Sequence, residues 1–241
     1  MQKTSVTFLL DRTGSMESIK QDTIGSFNAY LEGLQTGDGS EDIEFSLVQF
    51  DSTSVDKVHL NKPVKDIPKL DDKSFIPRDM TPLIDASYVT IKAVEKAVEG
   101  TDKKVVICIQ TDGEDNVPNQ QHTWDELAAL VKEKRALGWQ FNFMGVGIDA
   151  YNQSAKMGIS RGSTISATMD SAEMASGYRS MSSNTRSFAA GQSVNTDFSD
   201  MQKLSAGDYT VKGASKAPPV SQPAPAPKAK AKLVDDLDLT K

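Results

Sequence analysis

The 241-residue sequence predicts an α/β domain with a mainly parallel sheet covered by helices on both faces. Two observations carry this. Short apolar runs without alternation, Val6 to Leu10 and Val105 to Ile109, suit central strands buried on both faces. Segments with helical spacing of apolar residues stand between such runs along most of the chain.

The first strand, Val6 to Leu10, runs into a turn over Asp11 to Ser15 with Gly14 at its flexible position. Met16, Ile19, Thr23, Phe27, Tyr30, Leu31 and Leu34 then recur at helical spacing, and Gly37 and Gly39 mark the helix end. Ile43, Phe45, Leu47, Gln49 and Phe50 predict a second strand. Ser52 and Thr53 turn the chain, and Val55, Val58 and Leu60 return as a hairpin. Residues 61–80 contain Pro63, Pro68 and Pro77 and read as a loop with short pieces of structure. Pro82 suits the first turn of a helix carrying Leu83, Ala86, Ile91, Val94 and Val98. After the Val105 to Ile109 strand, Trp124, Leu127, Leu130 and Val131 mark a helix ending near Gly138. Phe141 to Val146 is the next strand. A short helix around Ser154 to Met157, a strand near Ser163 to Ala167, and a last helix capped by Asp170 and running to about Phe188 complete the pattern.

Composition narrows the function. Hydrophobic residues make up 38 %, low for a chain that is globular throughout, and the C-terminus is the candidate for the unfolded part. The net charge of −6 argues against non-specific nucleic-acid binding and against docking on anionic membranes. Cys108 is the only cysteine and lies in an apolar run, so it reads as a buried core thiol. The run Val6 to Leu10 is too short for a membrane span or a signal peptide, which leads to a cytoplasmic expectation. The expected organisation is a domain over 1–190, an extension over 191–213 that packs on it or dangles, a Pro/Ala/Lys-rich linker over 214–232 and an acidic-hydrophobic tail over 233–241.

Three oxygen-bearing residues follow the first strand at alternate positions: Asp11, Thr13 and Ser15. A carboxylate and two hydroxyls make a hard, oxygen-only donor set that suits Mg²⁺ or Mn²⁺ and not zinc. A second acidic turn, Thr111 to Asn116, follows the Val105 to Ile109 strand. If the two strands are neighbours, Asp112 meets Asp11 at one sheet edge. Thr81 supplies a further hydroxyl just before a helix N-terminus. Turn and cap chemistry explains any one of these motifs alone. Asp85 reads as a partner of the metal loop or as an early-helix acid. Asp115 and Asn116 read as contacts to metal-bound water or as turn residues. His59 and His122 lack metal spacing and receive no role.

Asp11-Arg12-Thr13-Gly14-Ser15 resembles the Asp-x-Ser-x-Ser motif of von Willebrand factor A (vWA) domains, with Thr13 in place of the commoner serine. Thr81-Pro82-Leu83 and Thr111-Asp112-Gly113 are similar to the family's other two motifs. Together they form the metal-ion-dependent adhesion site (MIDAS), and the resemblance spans roughly residues 4 to 190, in the style of intracellular bacterial or phage-like members. It implies a six-stranded sheet with one antiparallel edge strand. It implies that Asp11, Thr13, Ser15, Thr81 and Asp112 hold a divalent ion, Mg²⁺ with Mn²⁺ or Ca²⁺ as alternatives, at about 2.0–2.1 Å for Mg²⁺. It also implies a protein partner that supplies a Glu or Asp to the metal. Two other readings compete. One is a scaffold recruiting through Leu233 to Leu239. The other is a metal-dependent phosphohydrolase, disfavoured because position 13 is Thr where such sites carry Asp and because no phosphate loop or nucleophile elbow appears.

Overall fold

The computed structural model describes residues 2–211. Its six strands are β1 (Thr4–Asp11), β2 (Ile43–Phe50), β3 (Val55–Pro63), β4 (Lys104–Thr111), β5 (Gln140–Val146) and β6 (Thr164–Ala167). They form one sheet in the order β3-β2-β1-β4-β5-β6. Only the β2–β3 pair is antiparallel. The sheet is the mainly parallel, six-stranded one expected, with its antiparallel strand at an edge. β1 pairs with β2 on one side and β4 on the other, so strand order reverses at β1/β4. A ligand crevice is expected beyond the C-terminal ends of those two strands.

β1 is buried along its whole length, which explains its missing alternation. Val6, Phe8 and Leu10 join one core with Val106 and Cys108, beneath helices α1 (Lys20–Gln35) and α5 (Ser171–Ala189). Leu9, Val105, Ile107 and Ile109 face the other core, beneath α2 (Leu83–Val98), α3 (Trp124–Ala136) and α4 (Ala150–Lys156). Phe8 centres the first core, with edge-to-face contacts to Phe27 at 5.3 Å and Tyr30 at 5.0 Å. α5 lies so close to α1 that a Cβ on Gly33 would fall 2.4 Å from Ser182 Oγ.

Three local expectations differ from the structure. The helix expected from Met16 is a 3₁₀ segment over Gly14–Ile19 before α1 begins, because the Asp11 to Ser15 turn leads straight into it. Pro82 stands at the N-cap of α2 and not within its first turn. The helix expected around Ser154 begins at Ala150, where the Asp149 side chain accepts the Asn152 N–H and fixes the start.

The segment after α5 is held on the domain. Phe198 is buried, and a short helix α6 (Asp200–Ser205), capped by Ser199, follows it. Buried Asp208 takes the Tyr151 hydroxyl, and Lys203 Nζ donates to the Arg161 carbonyl at 2.6 Å. The linker and tail expected over 214–241 lie outside the described residues. No helix among the described residues is long and apolar enough to cross a membrane.

Candidate metal centre

The C-terminal ends of β1 and β4 bring the five predicted residues together. Asp11 is fully buried at the end of β1. Its Oδ1 accepts the Thr13 backbone N–H at 2.7 Å, and its Oδ2 accepts the Thr111 hydroxyl. Thr13 is extended (φ −79°, ψ 169°), which turns its side chain toward the neighbouring segments. Its Oγ1 lies 3.3 Å from Ser15 Oγ and accepts the Thr81 hydroxyl at 3.1 Å. Ser15 Oγ donates to Asp112 Oδ1 at 2.7 Å. Asp11, Thr13, Ser15, Thr81 and Asp112, drawn from three distant segments, thus share one polar cluster.

Gly113 keeps that cluster tight. A Cβ there would sit 3.2 Å from Thr81 Oγ1 and 3.8 Å from Ser15 Oγ. Asp11, Thr13, Thr81 and Asp112 are buried, whereas Gly14 and Ser15 are exposed. The cluster therefore opens to solvent on the Ser15 side.

The electrostatics are unusual for two carboxylates so deeply buried. Among the described residues neither Asp11 nor Asp112 makes an ion pair with Lys, Arg or His; their partners are hydroxyls and amides. Burial, and then the neighbouring charge of Asp112, pushes Asp11 up to about 7. Burial pushes Asp112 up to about 6, opposed by the Ser15 hydroxyl. The described residues contain no group of three or more His, Cys, Asp or Glu side chains able to hold a metal, so an ion here would rest on two carboxylates and three hydroxyls. Hard oxygen donors with two unneutralised charges fit a hard divalent cation.

Asn116, Asp115 and Asp85, for which the sequence left two readings each, fasten the loops around the cluster. Asn116 grips Thr81 at two points: its Oδ1 accepts the Thr81 N–H at 2.8 Å, and its own N–H donates to the Thr81 carbonyl at 3.1 Å. Asp115 accepts the Ile84 N–H at 2.9 Å at the start of α2. The acidic turn after β4 is thereby fastened to the threonine turn. Asp85 holds the far end of the same loop, accepting the His122 N–H at 2.8 Å and contacting His122 Nδ1 at 3.0 Å. His122, given no role from sequence, stacks on Tyr88 with ring centroids 3.8 Å apart. These contacts join residues 31 to 37 positions apart, and no local sequence signal marks them.

No family model and no curated protein matches the sequence. Solved structures do match. Proximal thread matrix protein 1 from the mussel byssus, with its MIDAS motif occupied by zinc, superposes with a TM-score of 0.51 at 12% identity over 72% of this chain. This chain spans only 46% of that protein's length. The vWF domain of the type V pili tip protein Mfa5 from Porphyromonas gingivalis gives a TM-score of 0.56 at 9% identity, covering 76% of this chain and 94% of that one. The manganese-loaded TRAP protein of Plasmodium vivax gives 0.50 at 14% identity, covering 70% and 69%. At these identities the likeness is one of fold.

Proposed function

We propose that this chain, which has the fold of von Willebrand factor A domains, is a metal-dependent protein-interaction module. The observation that carries the reading is the convergence of Asp11, Thr13, Ser15, Thr81 and Asp112 at the switch point of the sheet, with two buried carboxylates that make no ion pair among the described residues. These five residues would hold one divalent ion, some of them through water, and Mg²⁺ is the best match to the donor set, with Mn²⁺ and Ca²⁺ as alternatives. When bound, the ion supplies positive charge that attracts an anionic oxygen, a Glu or Asp of a protein partner. The chain's own part is to fix the donors and leave one approach open, past exposed Gly14 and Ser15. The ends of two loops, Asp79 to Thr81 and Gly113 to Asn116, border that approach and would select the partner.

Binding fits the site better than catalysis. The sequence after Asp11 carries Thr13 where metal-dependent phosphohydrolases carry a second Asp, and it shows no phosphate loop or nucleophile elbow. A single buried thiol suits the cytoplasmic setting we favour. Calorimetric titration with Mg²⁺ and Mn²⁺, beside Asp11→Ala and Asp112→Ala, tests the site. A lysate pull-down with and without EDTA tests the clamp. The reading expects saturable binding lost in both variants and partners lost in EDTA. A folded wild type that binds neither ion, or partners retained in EDTA, refutes it.

A further inference from the structure

The turn between β2 and β3 touches none of the five candidate donors through its side chains, yet it is built into the site. Asp51, at its start, is fully buried. Its Oδ1 accepts the Thr53 N–H at 2.7 Å and the Ser54 N–H at 3.0 Å, which closes the turn. Its Oδ2 faces two arginines. Arg12 approaches with Nε at 3.0 Å and Nη2 at 2.7 Å, and Arg78 donates from Nε at 2.8 Å. Arg12 lies between Asp11 and Thr13 in the first motif. Arg78 lies three residues before Thr81.

The backbone repeats the same links. Arg12 N–H donates to the Phe50 carbonyl, Arg78 N–H to the Arg12 carbonyl and Gly14 N–H to the Asp79 carbonyl, each at 2.9 Å. Thr53 Oγ1 donates to Asp79 Oδ2 at 2.7 Å, and Asp79 adopts a left-handed φ of 62° that side chains rarely take. Three segments, 11–15, 51–54 and 78–81, therefore meet around one carboxylate.

The geometry points to Asp51 as a positioning residue of the metal site, one that sets the separation of the Thr13 and Thr81 hydroxyls by binding Arg12 and Arg78 on a single charge. Those two hydroxyls are 3.1 Å apart and belong to the two segments that Asp51 joins. Without its charge, two guanidinium groups share the neutral Ser54 hydroxyl and half-exposed Asp56 as partners. Mg²⁺ and Mn²⁺ sites tolerate little displacement of their donors, so the loss is read in metal affinity. This inference rests on the metal-binding reading above.

The test is Mn²⁺ titration, followed by electron paramagnetic resonance, of the full chain and four variants. Asp51→Asn keeps the size and the turn acceptor and removes the charge. Loss of a residue that orients metal ligands typically weakens binding about 10–100-fold, and that range is expected here. Asp56→Asn removes an equal charge from the same cluster at its exposed rim and should weaken binding less than about fivefold. Lys134→Met breaks a buried ion pair with Glu95 at the opposite end of the sheet; it should lower the melting temperature and leave Mn²⁺ affinity unchanged. Arg78→Gln cuts one arm of the cluster and should weaken binding about tenfold, which keeps the question open to test if Asp51→Asn does not fold. Wild-type affinity in folded Asp51→Asn or in Arg78→Gln overturns the inference, as does an equal loss in Asp56→Asn or Lys134→Met. A wild type that binds no Mn²⁺ refutes the metal site itself, and this role falls with it.

Discussion

In the metal-free protein at neutral pH, Asp11 and Asp112 crowd two carboxylates into a buried site without a cation. Their stability consequence follows from the direction of the shift. The folded value for Asp11, about 7, lies above its ordinary 3.8, so the folded state holds this proton more tightly than the unfolded chain does. Unfolding free energy is therefore lost as pH rises from about 4 to about 7 and stays low above that. At 1.36 kcal/mol per tenfold change in proton affinity, the loss is about 4 kcal/mol. The two carboxylates titrate as a pair, so this sum is counted once for the site. Asp11→Asn abolishes it at little local expense. The new carboxamide oxygen can still accept the Thr13 N–H, and its NH₂ can donate to Thr111 Oγ1, whose own proton then serves the Gly113 carbonyl at 3.0 Å. Metal-free Asp11→Asn is thus expected to exceed wild type by about 3 kcal/mol at pH 8 and to match it near pH 4. Urea denaturation in EDTA at several pH values measures this. Carboxylates outside this pair are common to both proteins and cancel in the difference. Mg²⁺ at about 100 times its Kd should add about 2.7 kcal/mol to wild type alone. An Asp11→Asn protein no more stable than wild type at pH 8, with the same pH profile, refutes the reasoning.

Other expectations follow from the same structure. Asn116→Ala leaves the Thr81 amide unpaired, which should reduce stability by about 1–3 kcal/mol in denaturation and weaken Mn²⁺ binding in calorimetry. Gly33→Ala places a methyl 2.4 Å from Ser182 Oγ, whose hydroxyl donates to the Tyr30 carbonyl; a loss of about 1–3 kcal/mol is expected despite alanine's better helix propensity, read as a lower melting temperature. Cys108, buried beside the Tyr30 hydroxyl at 3.6 Å and pushed up to about 12 by burial, should resist iodoacetamide in native protein and react fully in urea, as counted by mass spectrometry. Deleting residues 214–241 should leave metal binding and EDTA-sensitive capture of partners intact; loss of capture with metal binding preserved would favour recruitment through the tail.

Much of the fold was legible because burial of a parallel strand on both faces writes itself as an unbroken apolar run, as in Val6 to Leu10 and Val105 to Ile109. The five candidate donors were legible because each lies in a short motif at a strand end or helix start. Apolar spacing from Met16 onward could not separate a 3₁₀ turn from an α-helix, since both bury Met16 and Ile19. Asp51 was illegible and Asn116 ambiguous for a different reason. Each looks like an ordinary turn residue, and their decisive partners, Arg78 and Thr81, are 27 and 35 positions away in sequence. Asp85 was ambiguous in the same way, and His122 was given no role, because only the loop after β4 folded back onto α2 brings them together.

The two rims of the sheet carry a further consequence. On β6 the outward amide of Ser166 donates to Asp208 at 3.2 Å, and the Thr168 amide just beyond the strand donates to the Ala206 carbonyl at 3.3 Å, so the segment after α5 lies along that border. On β3 the pairing with β2 slips twice, Asn61 is left-handed, and Lys57, Lys62 and Pro63 punctuate the strand. Borders of this kind are poor templates for another chain's backbone. A visiting polypeptide gains little by extending the sheet sideways, so side-to-side polymerisation is discouraged.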